Sequence, residues 1–308
     1  MILNPLTMKS ALLLLITICL VAFTSDKPAY LLYDQSLQKT VSYEVMLKKL
    51  TDADVVFFGE EHDNPICHWL QLEVAKDLFE AKKSNFVIGA EMFEADNQLV
   101  LDEYLKGQIT AKQLEDETKV WNNYATDYKP LVEFAKTNKI PFIATNIPRR
   151  YASLVSKNGL QALETLSEDG KKNIAPLPFE VDLTLPGYKN MMDMGGMHGS
   201  SMGKVNQDMI ANMARAQASK DATMAHFILK NWQKGKLLLH LDGHYHSDNF
   251  EGIVWYLKKQ NPSLSIVTIT NVSEDDVLQP KEAKPNMANF VLVTPKSLTR
   301  TYLPGGVR

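Results

Sequence analysis

Short, almost uninterrupted apolar segments recur along the chain, and longer segments with helical periodicity separate them. The apolar segments predict strands at Val55–Phe58, Phe86–Ile88, Pro141–Ala144, Leu237–Leu241, Ser265–Thr270 and Asn289–Val293. Strands without polar alternation need cover on both faces, and strands separated by helices run parallel. The pattern therefore predicts an α/β fold: a three-layer sandwich around a mainly parallel sheet, with a smaller helical subdomain.

Two segments without strand patterns interrupt this alternation. They predict helical insertions at about 97–130 and 149–233 within a single domain of residues 26–308. Inside the second insertion, residues 173–204 contain three prolines and a cluster of glycines, which predicts a long loop. The long helix predicted after this loop carries apolar and small residues from Ile210 to Ile228.

The N-terminus has the pattern of an export signal. Lys9 is followed by an apolar run, Ala11–Phe23, and then by small and polar residues. The run is shorter than the roughly 20 residues that span a bilayer. It therefore predicts a signal peptide over residues 1–25, cleaved near Ser25, and a location in the periplasm or at the outer membrane. Cys19 offers a lipid anchor as the alternative, although Ile18 stands where lipoprotein signals usually carry Gly, Ala or Ser.

The composition is that of an ordinary globular protein, with 45% hydrophobic residues, 22% charged residues and a net charge of -3. No broad basic field is available to attract phosphate backbones, so nucleic acid is not expected as a partner. Once the signal peptide is removed, Cys67 is the only cysteine. No intrachain disulfide can then form, even in an oxidising compartment.

Ionisable and polar residues follow four of the predicted strands. The sequences are Gly59-Glu60-Glu61-His62, Gly89-Ala90-Glu91, Thr145-Asn146 with Arg149 nearby, and Asp242-Gly243-His244-Tyr245-His246. The carboxyl ends of parallel strands share one edge of a sheet, and ligands bind outside that edge. A single polar strand end usually caps a helix or completes a turn. Four such ends favour a functional site.

The residues at this edge suit two kinds of chemistry. Imidazole and carboxylate are natural ligands of a divalent transition metal, which makes His62, Glu91 and His246 the predicted metal ligands. Glu60 is a further candidate ligand. The alternative is a metal-free acid/base site in which the same four residues are catalytic.

A second feature is the segment MMDMGGMHGSSMG, residues 191–203, which holds five of the 13 methionines. Thioether and imidazole can ligate copper(I) or haem iron, so Met197 and His198 are candidate cofactor ligands. The alternative is a loop whose methionines pack loosely on the following helix. Tyr188 and Tyr245 are further candidates, because phenolate is a known ligand of haem iron.

Five blocks of sequence resemble those of a known family. GEEHDNPICHWLQLEV, GAEMFE, PFIATNIPRR, MARAQASKDATMAHFIL and DGHYHSDNFEGIVWYL are similar, in order and spacing, to blocks of the ChaN-type haem-binding uptake family. That family is related to the Tiki proteases and the erythromycin-esterase-like enzymes. In this larger group two Gly-x-x-His motifs and a glutamate form the site, and the matching residues here are Gly59-x-x-His62, Gly243-x-x-His246 and Glu91.

The resemblance implies an α/β sandwich, export as an iron-regulated lipoprotein, and haem binding, with cofacial haems in a homodimer held through a tyrosine. The expected cofactor-binding residues are Arg149, Tyr188, Met197, His198 and Tyr245. The first functional prediction is an exported haem- or iron-binding protein of haem or iron uptake. A metal-dependent hydrolase that uses the two motifs is the alternative, and a copper-handling protein is the third. Enzymatic activity is left open.

Overall fold

The computed structural model describes residues 27–199 and 207–302. The strands are β1 (Leu31–Asp34), β2 (Lys39–Val41), β3 (Val55–Glu60), β4 (Phe86–Glu94), β5 (Phe142–Asn146), β6 (Leu237–Gly243), β7 (Ile266–Glu274) and β8 (Phe290–Pro295). The helices are α1 (Tyr43–Thr51), α2 (Pro65–Lys82), α3 (Gln98–Leu105), α4 (Ala111–Thr118), α5 (Lys129–Asn138), α6 (Arg149–Asn158), α7 (Glu168–Lys171), α8 (Pro186–Gly199), α9 (Gln207–Asn231) and α10 (Ile253–Gln260). A π-helical turn covers Tyr124–Tyr128, and a 3-10 turn covers His244–His246.

The described strands form one eight-stranded sheet in the order β2-β1-β8-β7-β3-β6-β4-β5. β1 pairs antiparallel with β2 and with β8, and the other neighbouring strands pair in parallel. β3 lies in the middle of the sheet, and all of its residues are buried. The prediction of an α/β fold around a mainly parallel sheet is confirmed.

Helices cover both faces of the sheet and create two large cores. Val56 and Phe58 of β3 belong to the core that contains side chains of α1, α2 and α5. Val55 and Phe57 belong to the opposite core, which contains side chains of α9 and α10. This alternation explains the unbroken apolar sequence of β3, because successive side chains enter different cores.

The turn after β3 is fixed by the start of α2. The Asn64 side-chain oxygen accepts hydrogen bonds from the backbone N–H groups of Ile66, at 3.1 Å, and Cys67, at 3.3 Å. Pro65 occupies the first turn of the helix, where its missing N–H costs nothing. This cap holds in place the short segment that carries His62.

The predicted loop over residues 173–204 is wrong in its second part, because α8 occupies Pro186–Gly199. Its proline is compatible with a first helical turn, as at the start of α2. Tyr188 and Met191 pack against Ala214 and Ala218 of α9. This tertiary burial offsets the low helix propensity of the glycines, which had favoured a loop.

Further differences from the prediction concern the sheet. β4 continues to Glu94, so Glu91 lies within the strand instead of following it. Gly89 does not end β4, because β5 and β6 pair with it on both sides. β1 and β2 were not predicted, since each is short and part-exposed.

The predicted signal peptide, residues 1–25, and the alternative anchor at Cys19 lie outside the described residues. Among the residues that the structure describes, no helix has the length and apolar character needed to cross a membrane. The proposed domain bounds and export stay predictions.

Candidate functional site

The carboxyl ends of β3, β6 and β4 lie side by side at one edge of the sheet. In the parallel pairing of β3 with β6, Glu60 stands opposite Gly243, and β4 is the next strand beyond β6. Glu91 projects from the second half of β4, and His246 follows β6 by three residues. The structure therefore brings together residues that the sequence places on separate strands.

His62 stands at this edge with one ring nitrogen fixed. Its Nδ1 donates a hydrogen bond of 2.9 Å to Glu60 Oε1, and its ring packs edge-to-face on Trp121 with 4.8 Å between ring centroids. The side chain is 46% exposed. Its Nε2 has no hydrogen-bond partner within the described ranges. Since Nδ1 carries a proton, Nε2 is the nitrogen left for a ligand.

The pKa of His62 is raised above its ordinary value of 6.5. Burial alone would lower this pKa, because it disfavours the charged ring. The hydrogen bond to Glu60 and the negative charges of Glu60 and Glu91 outweigh that effect.

Glu60 is fully buried and receives donors from several directions. Tyr128 donates its hydroxyl to Oε1 at 2.6 Å, and Gln71 donates its side-chain N–H to Oε2 at 2.6 Å. The buried imidazole of His68 hydrogen-bonds the backbone carbonyl of His62 at 3.1 Å. These contacts satisfy the carboxylate charge and fix the direction from which Glu60 holds His62.

His246 is buried, and both of its ring nitrogens are engaged. Nδ1 donates to Asp221 Oδ1, and Nε2 lies 3.2 Å from Glu91 Oε1. Asp221 Oδ2 accepts the Tyr188 hydroxyl at 2.6 Å, and Glu91 Oε2 accepts the backbone N–H of Gly243 at 2.8 Å. A continuous chain of hydrogen bonds thus runs from Tyr188 to the end of β6.

The protonation of His246 and Glu91 depends on their pairing with each other. Burial alone would lower the pKa of His246, but the carboxylates of Glu91 and Asp221 raise it to about 10. Burial alone would raise the pKa of Glu91, whereas the His246 cation holds it well below its ordinary range. At neutral pH the pair is therefore an imidazolium and a carboxylate.

The predicted metal site finds no support in this geometry. Within residues 27–199 and 207–302, no group of three or more His, Cys, Asp or Glu side chains is arranged to hold a metal ion. Both ring nitrogens of His246 are already engaged, Nδ1 by Asp221 and Nε2 by Glu91. Glu91 and Glu60 already accept hydrogen bonds on both of their oxygens.

Two hydrogen-bond networks meet at Gly243. The first joins His62 to Glu60, and the second joins His246 to Glu91 and Asp221. A Cβ atom at this position would lie 2.7 Å from Cε1 and Nε2 of His62 and 3.6 Å from Glu91 Oε2. Any side chain here would displace the imidazole. The glycine of the second Gly-x-x-His motif therefore makes room for the histidine of the first.

Two cavities open at this edge, and His62, Trp121 and Arg149 line both. The larger, which we call the outer cleft, has a volume of about 530 Å³ and is also lined by Lys119, Asn123 and Tyr302. The smaller, which we call the inner chamber, has a volume of about 190 Å³ and is also lined by Glu91, Asn146 and Lys220.

The C-terminal segment, residues 296–302, lies against the turn that carries His62. Arg300 donates hydrogen bonds to Glu61 at 2.5 Å and to Asp63 at 3.1 Å, the two neighbours of His62 in sequence. The backbone N–H of Thr301 donates to the carbonyl of Asp63 at 3.0 Å. A segment distant in sequence thus fixes the backbone on both sides of the histidine.

The predicted cofactor-binding residues are distributed over different parts of the molecule. Arg149 lines both cavities and has a 72% exposed side chain. Tyr245 is 79% exposed, whereas Tyr188 is buried in the hydrogen-bond chain. Met197 and His198 belong to α8, but their side chains lie outside the described part of the chain.

Several residues of the site were not predicted from the sequence. The sequence could have pointed to Asp221, because it lies among the small residues Ala218 and Ala225 of α9, which are buried. A charge in such a position needs a partner. Tyr128 and Trp121 come from the first helical insertion. Nothing in the sequence links either of them to the end of β3.

An open, mainly parallel α/β sheet with an ionisable cleft outside the carboxyl ends of its strands defines a ligand-binding α/β protein. The sequence model described as haem-binding uptake, Tiki superfamily, ChaN matches residues 46–257. This match covers more than half of the 308 residues, and the chain belongs to that family. The family resemblance seen in the sequence blocks is confirmed.

The similar solved structures are related only distantly in sequence. ChaN of Campylobacter jejuni, described with cofacial haem binding, is 22% identical with a TM-score of 0.64, over 86% of this chain and 96% of that chain. An erythromycin esterase, EreC, in an open conformation is 12% identical with a TM-score of 0.43, over 86% of this chain and 83% of that chain. The ChaN structure supports the fold alone at this identity. Among curated proteins, no sequence matches this chain.

Proposed function

We propose that this chain is an exported haem-binding protein of haem or iron uptake and that haem occupies the outer cleft. The observation that carries this proposal is the state of His62. Its Nδ1 is anchored on a buried carboxylate, its Nε2 has no hydrogen-bond partner among the described residues, and its half-exposed side chain lines the cleft. Histidines that ligate metals in proteins are held in this way by a partner on the other nitrogen. The haem-binding uptake family supports haem as the ligand.

The residues around the outer cleft fit haem in size and in chemistry. The volume of about 530 Å³ lies within the range of small-molecule sites, roughly 300–1,000 Å³. Trp121 supplies an aromatic wall, and Lys119 and Arg149 supply cations for carboxylate groups. When bound, haem supplies an iron that accepts an imidazole nitrogen.

The two networks have different tasks in this proposal. Glu60 keeps a proton on Nδ1 of His62, which leaves the Nε2 lone pair free whenever the ring is neutral. A proton on Nε2 competes with any metal, so haem affinity should rise as the pH rises through the pKa of His62. The paired His246 and Glu91 hold the backbone of Gly243 beside the His62 ring.

Tyr245 is a second proposed haem contact, on the surface in the turn that follows β6. Its phenol is 79% exposed and stacks on the His244 ring with 4.2 Å between ring centroids. An exposed phenol is open to a haem held against a second copy of the chain, as expected for a homodimer. Met197 and His198 stay proposed ligands from α8. Tyr188 is committed to Asp221, so we assign it to the positioning of His246.

Titration of haemin into the mature protein, residues 26–308, tests the function. A saturable shift of the Soret band is expected, and His62→Ala should weaken binding at least tenfold. His226→Ala, on α9 outside both cavities, is the control and should bind haemin like the unaltered protein. Absence of a Soret shift at micromolar haemin would contradict haem binding. An unaltered affinity in His62→Ala would contradict the assignment to the outer cleft.

Export is tested separately on protein recovered from the periplasm of an expressing bacterium. N-terminal sequencing should find a mature chain that begins near Ser25. A chain that still begins at Met1 and stays in the cytoplasm would contradict export. Lipid labelling of the wild type and of Cys19→Ser tests the alternative anchor. Label in the wild type that is lost in Cys19→Ser indicates the anchored form, and absence of label in both indicates a freely released protein.

A further inference from the structure

Tyr302, the last described residue, forms part of the lining of the outer cleft together with His62 and Trp121. It is 37% exposed. It also lies beyond residues 46–257, the region that matches the family. An aromatic side chain with a polar tip is a common element of a small-molecule site. The family match says nothing about this residue, so its contacts must define its role.

The segment that carries Tyr302 is held from below by a buried carboxylate. Thr301 Oγ1 donates a hydrogen bond of 2.6 Å to Asp127 Oδ2. The same oxygen accepts the side-chain N–H of Asn123 at 2.6 Å. Asn123 belongs to the loop of residues 119–123, which lines the outer cleft. Asp127 thus joins the C-terminal segment to this loop, and both contribute to the cleft.

The phenol of Tyr302 is held at the surface by a second contact with the same loop. Asn122 donates its side-chain N–H to the Tyr302 oxygen at 3.2 Å. Because the oxygen is the acceptor in this bond, the hydroxyl hydrogen is not used, and no other described group accepts it. The bond also restricts the position of the phenol oxygen, which lowers the cost of ordering it around a ligand. Tyr302 therefore offers a positioned hydrogen-bond donor.

The charges in the lining favour an anionic group beside this donor. Asp63 brings a carboxylate to the cleft, but Arg300 donates a hydrogen bond to it at 3.1 Å. Lys119 lines the cleft, is exposed and forms no ion pair with the described residues. A donor and a cation are thus available, whereas the carboxylate is already paired. A carboxylate on the ligand would complement both groups.

We propose that Tyr302 determines the ligand specificity of the outer cleft by donating its hydroxyl hydrogen to a carboxylate of the ligand, with Lys119 supplying the opposite charge. The inference rests on the proposed function, in which the ligand is haem and the carboxylate is one of its propionates. A ligand of the same shape without a carboxylate loses the charge-assisted bond and should bind less tightly.

The test compares haemin with haemin dimethyl ester, whose carboxylates are blocked. Both are titrated under identical conditions into the mature protein, residues 26–308, and the Soret band is followed. Tyr302→Phe removes only the hydroxyl and should weaken haemin binding by about tenfold, while binding of the ester stays unchanged. Lys119→Met should show the same selective loss. Tyr33→Phe, on β1 outside both cavities, is the matched control and should bind both probes like the unaltered protein.

The outcomes separate this inference from the proposed function. Unaltered haemin affinity in Tyr302→Phe, or an equal loss of affinity for haemin and for the ester, would overturn the role of Tyr302 while haem binding stands. Equal affinity of the unaltered protein for the two probes would overturn it as well. An unaltered protein that shows no Soret shift with haemin would contradict the proposed function and this inference together.

Discussion

The histidines of the two Gly-x-x-His motifs have the same sequence context and opposite surroundings. His62 is half-exposed and lines the cleft, with one nitrogen paired and the other without a partner among the described residues. His246 is buried between Glu91 and Asp221, with both nitrogens paired. The first is therefore available to a ligand, and the second is a fixed cation that positions the strand ends.

The protonation of His246 can be tested directly. Its pKa, raised from 6.5 to about 10, means that the folded protein keeps a proton that the unfolded chain releases. The stability from this group is complete below pH 6.5 and is lost as the pH rises to about 10. NMR of the imidazole nitrogens should show His246 protonated at pH 8, when His226, whose pKa is lowered by burial, is neutral.

Asp221→Asn provides the matched variant for His246. It preserves an oxygen acceptor for Nδ1 and removes one negative charge, so the pKa of His246 should fall by at least about one pH unit. Titration of His246 near pH 6.5 in the unaltered protein would contradict the assigned ion pair.

The pKa of His62 depends on Glu60 in a way that one substitution can isolate. Glu60→Gln removes the charge that raises this pKa, while the burial that lowers it remains. The pKa of His62, measured by NMR titration, should fall below its value in the unaltered protein. Tyr128→Phe is the control, because it removes a hydrogen bond to the same carboxylate oxygen and leaves the charge. An equal fall in both variants would show that the charge of Glu60 is not the cause.

At the scale of elements, the site depends on segments that approach the end of β3 from three directions. β6 supplies the glycine beside His62, and the turn before α5 supplies Tyr128. The C-terminal segment holds the backbone through Arg300. The position of His62 is therefore a property of packed elements and not of its own turn.

Removal of Arg300 should loosen the turn that carries His62. Arg300→Met leaves Glu61 and Asp63 without their part-buried cation and should lower the free energy of unfolding by about 1–3 kcal/mol. Denaturant unfolding measures this loss, and hydrogen exchange should become faster at the amide of Asn64. Lys296→Met removes an exposed ion pair of the same segment and should cost less stability than Arg300→Met. Equal effects of the two variants would contradict a specific role for Arg300.

At the scale of the whole molecule, the sheet extends beyond the region that matches the family. Residues 46–257 contain β3, β4, β5 and β6, and the later strands β7 and β8 complete the central part of the sheet. β7 pairs with β3 on the side opposite to β6. The strand that bears the site is thus central only when the C-terminal strands are present.

A fragment of residues 27–257 should therefore fail to fold cooperatively. It exposes one edge of β3 and removes Ile269, Phe290 and Leu292 from the main core. Loss of the near-UV circular dichroism signal and of a sharp denaturant transition is expected. A cooperative transition in this fragment would show that the family-matched region is an independent folding unit.

The parts of the site that could be predicted are those whose signals lie within one strand and its following turn. Glu60 and His62 were found because an apolar strand ending in ionisable groups is conspicuous in the sequence, whereas the Gly-x-x-His pattern came from the family resemblance. Asp221 could be found only from a charge in an apolar stripe, and Trp121 carried no such signal. The helix α8 was missed because its glycines disfavour a helix locally, while packing on α9 stabilises it.

The sequence by itself determined the α/β class, the parallel strands and the edge at which Glu60, His62, Glu91 and His246 meet. These follow from hydrophobic periodicity and from the common direction of parallel strands, which are local properties of the chain. Only the tertiary structure decided which histidine is free and which is a buried cation. That difference depends on distances between groups remote in sequence and on their burial, because charges interact strongly only when they are close and shielded from water.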